Sequence, residues 1–401
     1  MIYLIRHLIY QVVLSYLKIK MKIKILAYSV GRSDLDRFTP ILEHLKKKKN
    51  VQLVTVGSYI HYLSIFGNTY KYLKRYNLKK RNIINKLIDN PKFIAENLAN
   101  EIQFVTKVIS KEKPDIIIVL GDRYEMLAAP ISAIPFNIPI VHFYGGAITY
   151  GAIDELVRHS ITKMSHFHLT AHKAYSKRIL SMGEESWRVN TIGILNIESL
   201  EKQKILTEKK LKKILNLDLR NKTLLVTIHP TTIENKNLKN DIKNLLKALK
   251  KTRMQVIFTY PNSDYGHKII INLISNFCKG SKKFIFLKNL SSVLYPSLLK
   301  KCVAMVGNSS SGIVESASFN MPVVNIGTRQ DGKIHGKNIV NTDFSYKNII
   351  NAINKVISQK FLNSIQNLQN EYKPSMSVNK ICNLILKIKK NKKILNKKFE
   401  S

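Results

Sequence analysis

The sequence predicts an α/β protein of two Rossmann-like, doubly wound parallel-sheet domains with an inter-domain cleft. Three observations predict it. Short apolar runs recur along the chain, each bounded by a Gly, Pro or polar turn. They read as near-continuous hydrophobic strands, the pattern of strands covered on both faces. Segments of helical periodicity separate them, and the whole pattern occurs twice, on either side of a Lys-rich stretch.

Residues 1–20 (MIYLIRHLIYQVVLSYLKIK) stand apart. The uncharged run LIYQVVLSYL is about half the length of a membrane-spanning helix, and no small-residue cleavage site follows it. Met21 directly precedes the first strand-like run. Residues 1–20 are therefore expected to be a mis-called start or a surface helix, with a weak membrane-surface anchor as the lesser reading. The first domain, 21–198, holds the strand-like runs IKILAYSV, VQLVTVG, DIIIVLG and IPIVHFY. Helical patterns such as FTPILEHLKKK and MLAAPISAIP lie between them, and FHLTA and NTIGIL continue the set. SLEKQKILTEKKLKKILNLDLRNK reads as a linker plus a helix. The second domain, 199–375, restarts with TLLVTIHP, MQVIFTYP, FIFLKNL, AMVGNSS and PVVNIG, then the amphipathic NIINAINKVIS. Residues 376–401 read as a C-terminal helix with a Lys-rich tail.

A chain of 401 residues can bury two full cores, and 45% hydrophobic with 23% charged residues is ordinary for a globular protein. Cys278, Cys302 and Cys382 show neither metal-ligand spacing nor a disulfide framework, which fits a reduced, cytoplasmic setting. The net charge of +40 is the unusual quantity. Its lysines are spread everywhere, without interleaved aromatics or a nucleic-acid motif. They read as solvated faces that also attract anions, so no nucleic-acid partner is expected.

In doubly wound sheets, ligands sit beyond the carboxyl ends of the strands. The turns there carry the chemistry. GRSDLDRF after the first strand offers Arg32, Ser33 and Asp34; GDRYE after the third offers Asp122, Arg123 and Glu125. HFYGGAITYGAIDELVRHSITK after the fourth holds Asp154 and Glu155, then Arg158 and His159 at helical spacing. TIHPTT offers His229, and TYPNSD offers Asn262 and Asp264. VGNSSSGIVES puts Ser309, Ser310, Ser311 and Gly312 at a helix start, with Glu315 one turn in. Small residues there let backbone N–H groups approach a phosphate; a serine-capped helix is the structural alternative. Arg329 and Lys333, after the last strand, would complete a diphosphate clamp. Asp122 reads equally well as a helix cap, and the acidic pair at 154 and 155 as a salt-bridged first turn. No Walker loop, dinucleotide fingerprint or metal cluster is present.

Five strings together, GDRYEMLAA, GAIDELVRHSITKMSH, FTYPNSDYG, VGNSSSGIVESASF and PVVNIGTRQDGK, resemble the hydrolysing UDP-N-acetylglucosamine 2-epimerases of the sialic- and legionaminic-acid branch. The resemblance runs from about Lys22 to residue 345. It implies the GT-B architecture, with the C-terminal helix returning to the first domain. It implies a UDP- or GDP-linked nucleotide sugar as partner, no cofactor or metal, no membrane, and the homo-oligomers common in the family. The reaction it implies is elimination of the nucleoside diphosphate to a 2-acetamidoglucal, then rehydration to the free C2-epimer, such as N-acetylmannosamine.

By position, Asp122 matches the family's catalytic aspartate, Asp154 with Glu155 the A-I-D-E acids, and His229 the histidine near the diphosphate. Ser309, Ser310 and Glu315 match the phosphate and ribose positions, with Ser311 and Gly312 as further expected substrate contacts beside them; Arg329 matches the diphosphate arginine, and Asn262 a nucleotide-side position. Arg32, Asp34, Arg123 and His159 complete the expected substrate contacts. The chain departs from the family at H-I-[E/H]-G-G-E: Tyr144 takes the first polar position and Ala147 the glutamate. Three outcomes follow. The remaining acids suffice, with Tyr144 as a proton donor; the site suits a different sugar; or the protein binds nucleotide sugars without turnover. A glycosyltransferase of the same architecture is the rival enzyme reading.

Overall fold

A computed structural model describes residues 22–64, 67–79, 91–150, 152–231, 237–262, 264–288, 290–389, 391 and 393–399. The expectation for residues 1–20 lies outside them. Among the described residues, twelve strands form two six-stranded parallel sheets. The first contains β1 (Ile23–Ser29), β2 (Val51–Gly57), β3 (Ile116–Leu120), β4 (Ile140–Phe143), β5 (Phe167–Thr170) and β6 (Val189–Thr191), in the order β2-β1-β3-β4-β5-β6. The second contains β7 (Thr223–Thr227), β8 (Gln255–Thr259), β9 (Phe284–Leu287), β10 (Ala304–Gly307), β11 (Val323–Ile326) and β12 (Ile339–Thr342), in the order β12-β11-β10-β7-β8-β9. The two-sheet α/β architecture expected from sequence is what forms.

Alternate residues of a strand point to opposite faces, and each face here is packed. Ile25 and Ala27 of β1 enter one core with Phe38, Ile41 and Leu45, while Leu26 and Tyr28 enter another with Val105 and Ile109. Leu224 and Val226 of β7 likewise face Leu245 and Leu249, and Leu225 faces Leu298 and Met305. Burial on both faces is why the strands read as unbroken apolar runs. It also fixes register, with Leu26 opposite both Val54 and Ile117.

Strand order reverses between β1 and β3 in one sheet and between β7 and β10 in the other. Loops leaving adjacent strands at such points diverge and open a crevice. The two crevices face a common cleft. The helix Val378–Ile388 returns to the first sheet: Ile381, Cys382, Ile385 and Ile388 join the core of Phe38 and Leu45. Among the described residues, no helix is long and apolar enough to cross a membrane.

Candidate active site

The loops beyond the strand ends line a partly open cavity of about 90 Å³. Arg37, Gly121, Asp122, Tyr144, Ala147, Thr149, Asp154, Ala171, Tyr175 and Ile194 line it from the first sheet's side. Ser310, Val314, Arg329, Lys333 and Tyr372 line it from the other.

One fully buried guanidinium organises the first wall. Arg158, in the helix Asp154–Met164, donates Nε to Asp122 Oδ2 at 3.1 Å, and its Nη2 contacts the same oxygen. Nη1 donates to Glu155 Oε2 at 2.6 Å and to Ala147 O at 2.8 Å, and Nη2 to Thr149 Oγ1 at 2.6 Å. The loops after β3 and β4 are thereby tied to one helix. Glu155 is spent on this frame: it also accepts Thr149 N at 2.7 Å and His159 Nε2 at 2.9 Å. Neither Glu155 nor His159 is among the residues lining the cleft; together they hold the loop and Arg158.

Asp122 and Asp154 do line the cleft, with opposite electrostatics. Burial works against ionisation of Asp122, but Arg158, Lys333 and Arg329 outweigh it and hold its carboxyl well below the usual range. Burial pushes Asp154 up to about 7, and the negative charges of Asp122 and Asp264 add to this; Arg329, its Nη2 3.6 Å from Asp154 Oδ2, and Arg158 oppose. Near neutral pH the cleft holds one ionised and one readily protonated carboxyl, the arrangement that assigns base and acid.

The second wall is cationic. Burial lowers Lys333 to about 7, helped by Arg158, Arg329 and Arg37 and resisted by Asp122. Its Nζ donates to Gln330 Oε1 at 2.8 Å, and Arg329 Nη1 to Asn308 O at 3.3 Å. Ser309 caps the five-residue helix Ser310–Val314, its Oγ 2.8 Å from Ser311 Oγ. Gly307, at φ +136°, must be glycine, because a Cβ would lie 1.9 Å from Thr227 O. Gly312 lies under the helix, against Val323 and Met305. Ser310 is the serine that reaches the cleft. Glu315 is buried and accepts Tyr295 O–H at 2.8 Å.

His229 Nδ1 accepts the Asn262 N–H at 3.0 Å, and its own N–H bonds Asn308 Oδ1 at 2.7 Å. Burial and the charges of Arg329 and Arg123 hold the imidazole neutral, with its proton on Nε2. Arg123 forks onto Glu125 at 3.0 and 3.1 Å and reaches Asp264 Oδ1 at 3.2 Å, joining the two halves. Asn262 Nδ2 bonds Asp264 Oδ2 at 2.5 Å.

Two expected substrate contacts are occupied elsewhere. Asp34 accepts the N–H groups of Val30 at 2.6 Å and Gly31 at 2.8 Å, so it caps its own helix. Arg32 sits 3.7 Å from Asp36. Among the lining residues that escaped sequence reasoning are Arg37, Tyr175 and Tyr372. Arg37 is one turn beyond Asp34 on an ordinary amphipathic helix. Tyr175 and Tyr372, their hydroxyls 2.7 Å apart, meet from positions 197 residues distant, and Tyr372 donates to Ile334 O at 2.9 Å. Only the fold brings these together.

The departing residues are both in the cleft. Tyr144 has φ +65°, uncommon for a bulky side chain, and its hydroxyl accepts the Leu195 N–H at 3.3 Å. Burial raises it to about 12, so it stays protonated. Gly146, at φ +77°, leaves room for Tyr175 O, 2.4 Å from where a Cβ would stand. Ala147 contributes its carbonyl to Arg158 and no acid.

The family model described as UDP-N-acetylglucosamine 2-epimerase matches residues 43–386. The chain is 35% identical to the GDP/UDP-N,N'-diacetylbacillosamine 2-epimerase (hydrolyzing) of Campylobacter jejuni, over 94% of this chain and 99% of that one. It is 31% identical to the UDP-N,N'-diacetylbacillosamine 2-epimerase (hydrolyzing) of Legionella pneumophila, over 84% and 89%. Its fold matches the crystal structure of the UDP-GlcNAc 2-epimerase of Neisseria meningitidis with a TM-score of 0.75 at 20% identity, over 92% and 100%. The cleft geometry and these matches agree: the chain belongs to the UDP-N-acetylglucosamine 2-epimerase family.

Proposed function

We propose that this protein is a hydrolysing nucleotide-sugar 2-epimerase that needs no third carboxylate at position 147. The observation that carries this reading is the Asp122–Asp154 pair, two carboxyls in one cleft driven to opposite protonation. Asp122 takes the proton from C2. The C–H electron pair forms the C1=C2 bond, and the C1–O bond breaks with its pair leaving on the nucleoside diphosphate. Arg329, Lys333 and Arg37 meet that charge with fixed donors. Water then adds at C1, its proton passing to the departed nucleoside diphosphate, while Asp154 delivers one to C2 on the other face; Asp122 and Asp154 regain their starting protonation by exchange with solvent. Free 2-epimerised sugar and nucleoside diphosphate result.

The leaving group is UDP or GDP. Among 2-acetamido sugars, the reading favours N,N'-diacetylbacillosamine over N-acetylglucosamine. Ala171 and Ile194 from one wall and Val314 from the other bring aliphatic side chains to the cleft, which suit methyl groups better than hydroxyls. The Campylobacter and Legionella relatives are named for that sugar. The three free thiols fit a cytoplasmic enzyme. The test is a panel of UDP- and GDP-linked N-acetylglucosamine and diacetylbacillosamine, with nucleoside diphosphate release followed by chromatography. Release from the diacetamido donors first is expected; tight binding without release from any donor over days would leave only a nucleotide-sugar-binding protein.

A further inference from the structure

Beyond the helix Val378–Ile388, the Lys-rich tail is anchored at two points, Ile394 and Lys397, while its neighbours stay exposed. Fully buried Arg188 donates Nη1 to Ile394 O at 2.8 Å and Nη2 to Asn396 O at 2.9 Å. Lys397 Nζ donates to Thr162 O at 3.3 Å, Lys163 O at 2.7 Å and Ser165 O at 2.6 Å. It also pairs with Glu184 Oε1 at 2.7 Å, the two side chains being 10% and 0% exposed. Lys163 Nζ lies 3.6 Å from the centre of the Phe399 ring, which closes the seat.

The three carbonyls belong to the C-terminal turn and cap of the helix Asp154–Met164. Carbonyls there lack helical partners, and a cation complements the dipole. That same helix presents Asp154 at its first position and Arg158 one turn on. We propose that Lys397 is a positioning residue: its ammonium anchors the far end of this helix and so sets Asp154 and Arg158 against Asp122. The catalytic consequence rests on the function proposed above.

The test compares Lys397→Met, Lys397→Arg and the double variant Lys397→Met/Glu184→Gln, which removes both buried charges; Glu184 otherwise keeps His168, whose Nε2 is 3.0 Å from its Oε2. Expected for Lys397→Met and the double variant is a kcat lowered about tenfold, with KM within about twofold, since misplacing catalytic groups slows chemistry more than binding. Backbone amides 157–160 should exchange hydrogen about tenfold faster while those of β1 do not change, and Lys397→Arg should restore both. If faster exchange is confined to residues 162–165 and kcat is unchanged, the inference is overturned. Should the wild-type chain turn over no nucleotide sugar, the proposed function fails, and the exchange at 157–160 still decides the role of Lys397.

Discussion

The protonation of Asp122 and Asp154, on which their proposed roles rest, is set by their neighbours. A carboxylate beside Arg158, Arg329 and Lys333 remains a base; one buried beside two other acids holds its proton. Asp122→Asn should lower kcat by at least about 100-fold, as loss of a general base does. UDP affinity by calorimetry should be nearly unchanged, and retained turnover would refute the assignment. In the proposed mechanism protonated Asp154 is the working form, so kcat should decline as pH rises through about 7, and Asp154→Asn should erase that limb. The sign for stability follows from the same shift. Folded Asp154 keeps a proton that the unfolded chain releases above its ordinary 3.8, so its ionisation costs stability increasingly from there to about 7. Asp154→Asn should therefore raise the melting temperature more at pH 8 than at pH 4. That both acids line the cleft was legible because each stands at a strand-end turn. Arg158 was visible only as a helical neighbour of Asp154, since nothing local reveals that it is buried against Asp122.

Elements were legible where burial leaves one reading. β1, β3 and β7 are covered on both faces and show as continuous apolar runs. β6 (VNT) and β12 (IVNT) are short edge strands of half-buried residues, so their sequences carry little pattern. The run NTIGIL was expected as a strand, yet the strand covers Val189–Thr191 and the following apolar residues turn into the cleft wall at Ile194. The turn after β1 shows a limit of another kind. Its polar residues resemble a binding loop, but Asp34 is consumed by the N–H groups of Val30 and Gly31. Asp34→Ala should lower unfolding free energy by about 1 kcal/mol, the usual cost of a lost cap. Nucleotide affinity should stay within about twofold. A large affinity loss without destabilisation would return Asp34 to the substrate site.

The whole molecule works by bringing two sheets' loops together, and two charge pairs cross the cleft: Arg123 with Asp264 and Arg329 with Asp154. Asp264→Asn weakens the first and removes one of the charges that raise Asp154. KM should rise about tenfold. The alkaline limb of kcat should move to lower pH, and an unmoved limb would show that Asp264 does not influence Asp154. Pairings of this kind, like Tyr175 with Tyr372, join distant residues and leave no local trace in the sequence. The most direct test of the central claim is turnover in deuterated water, with the sugar product followed by NMR. The account predicts nucleoside diphosphate release together with a free, 2-epimerised sugar carrying deuterium at C2. A free sugar of unchanged configuration without deuterium at C2 would contradict it, because proton exchange at that carbon is what Asp122 and Asp154 are held apart in protonation to perform.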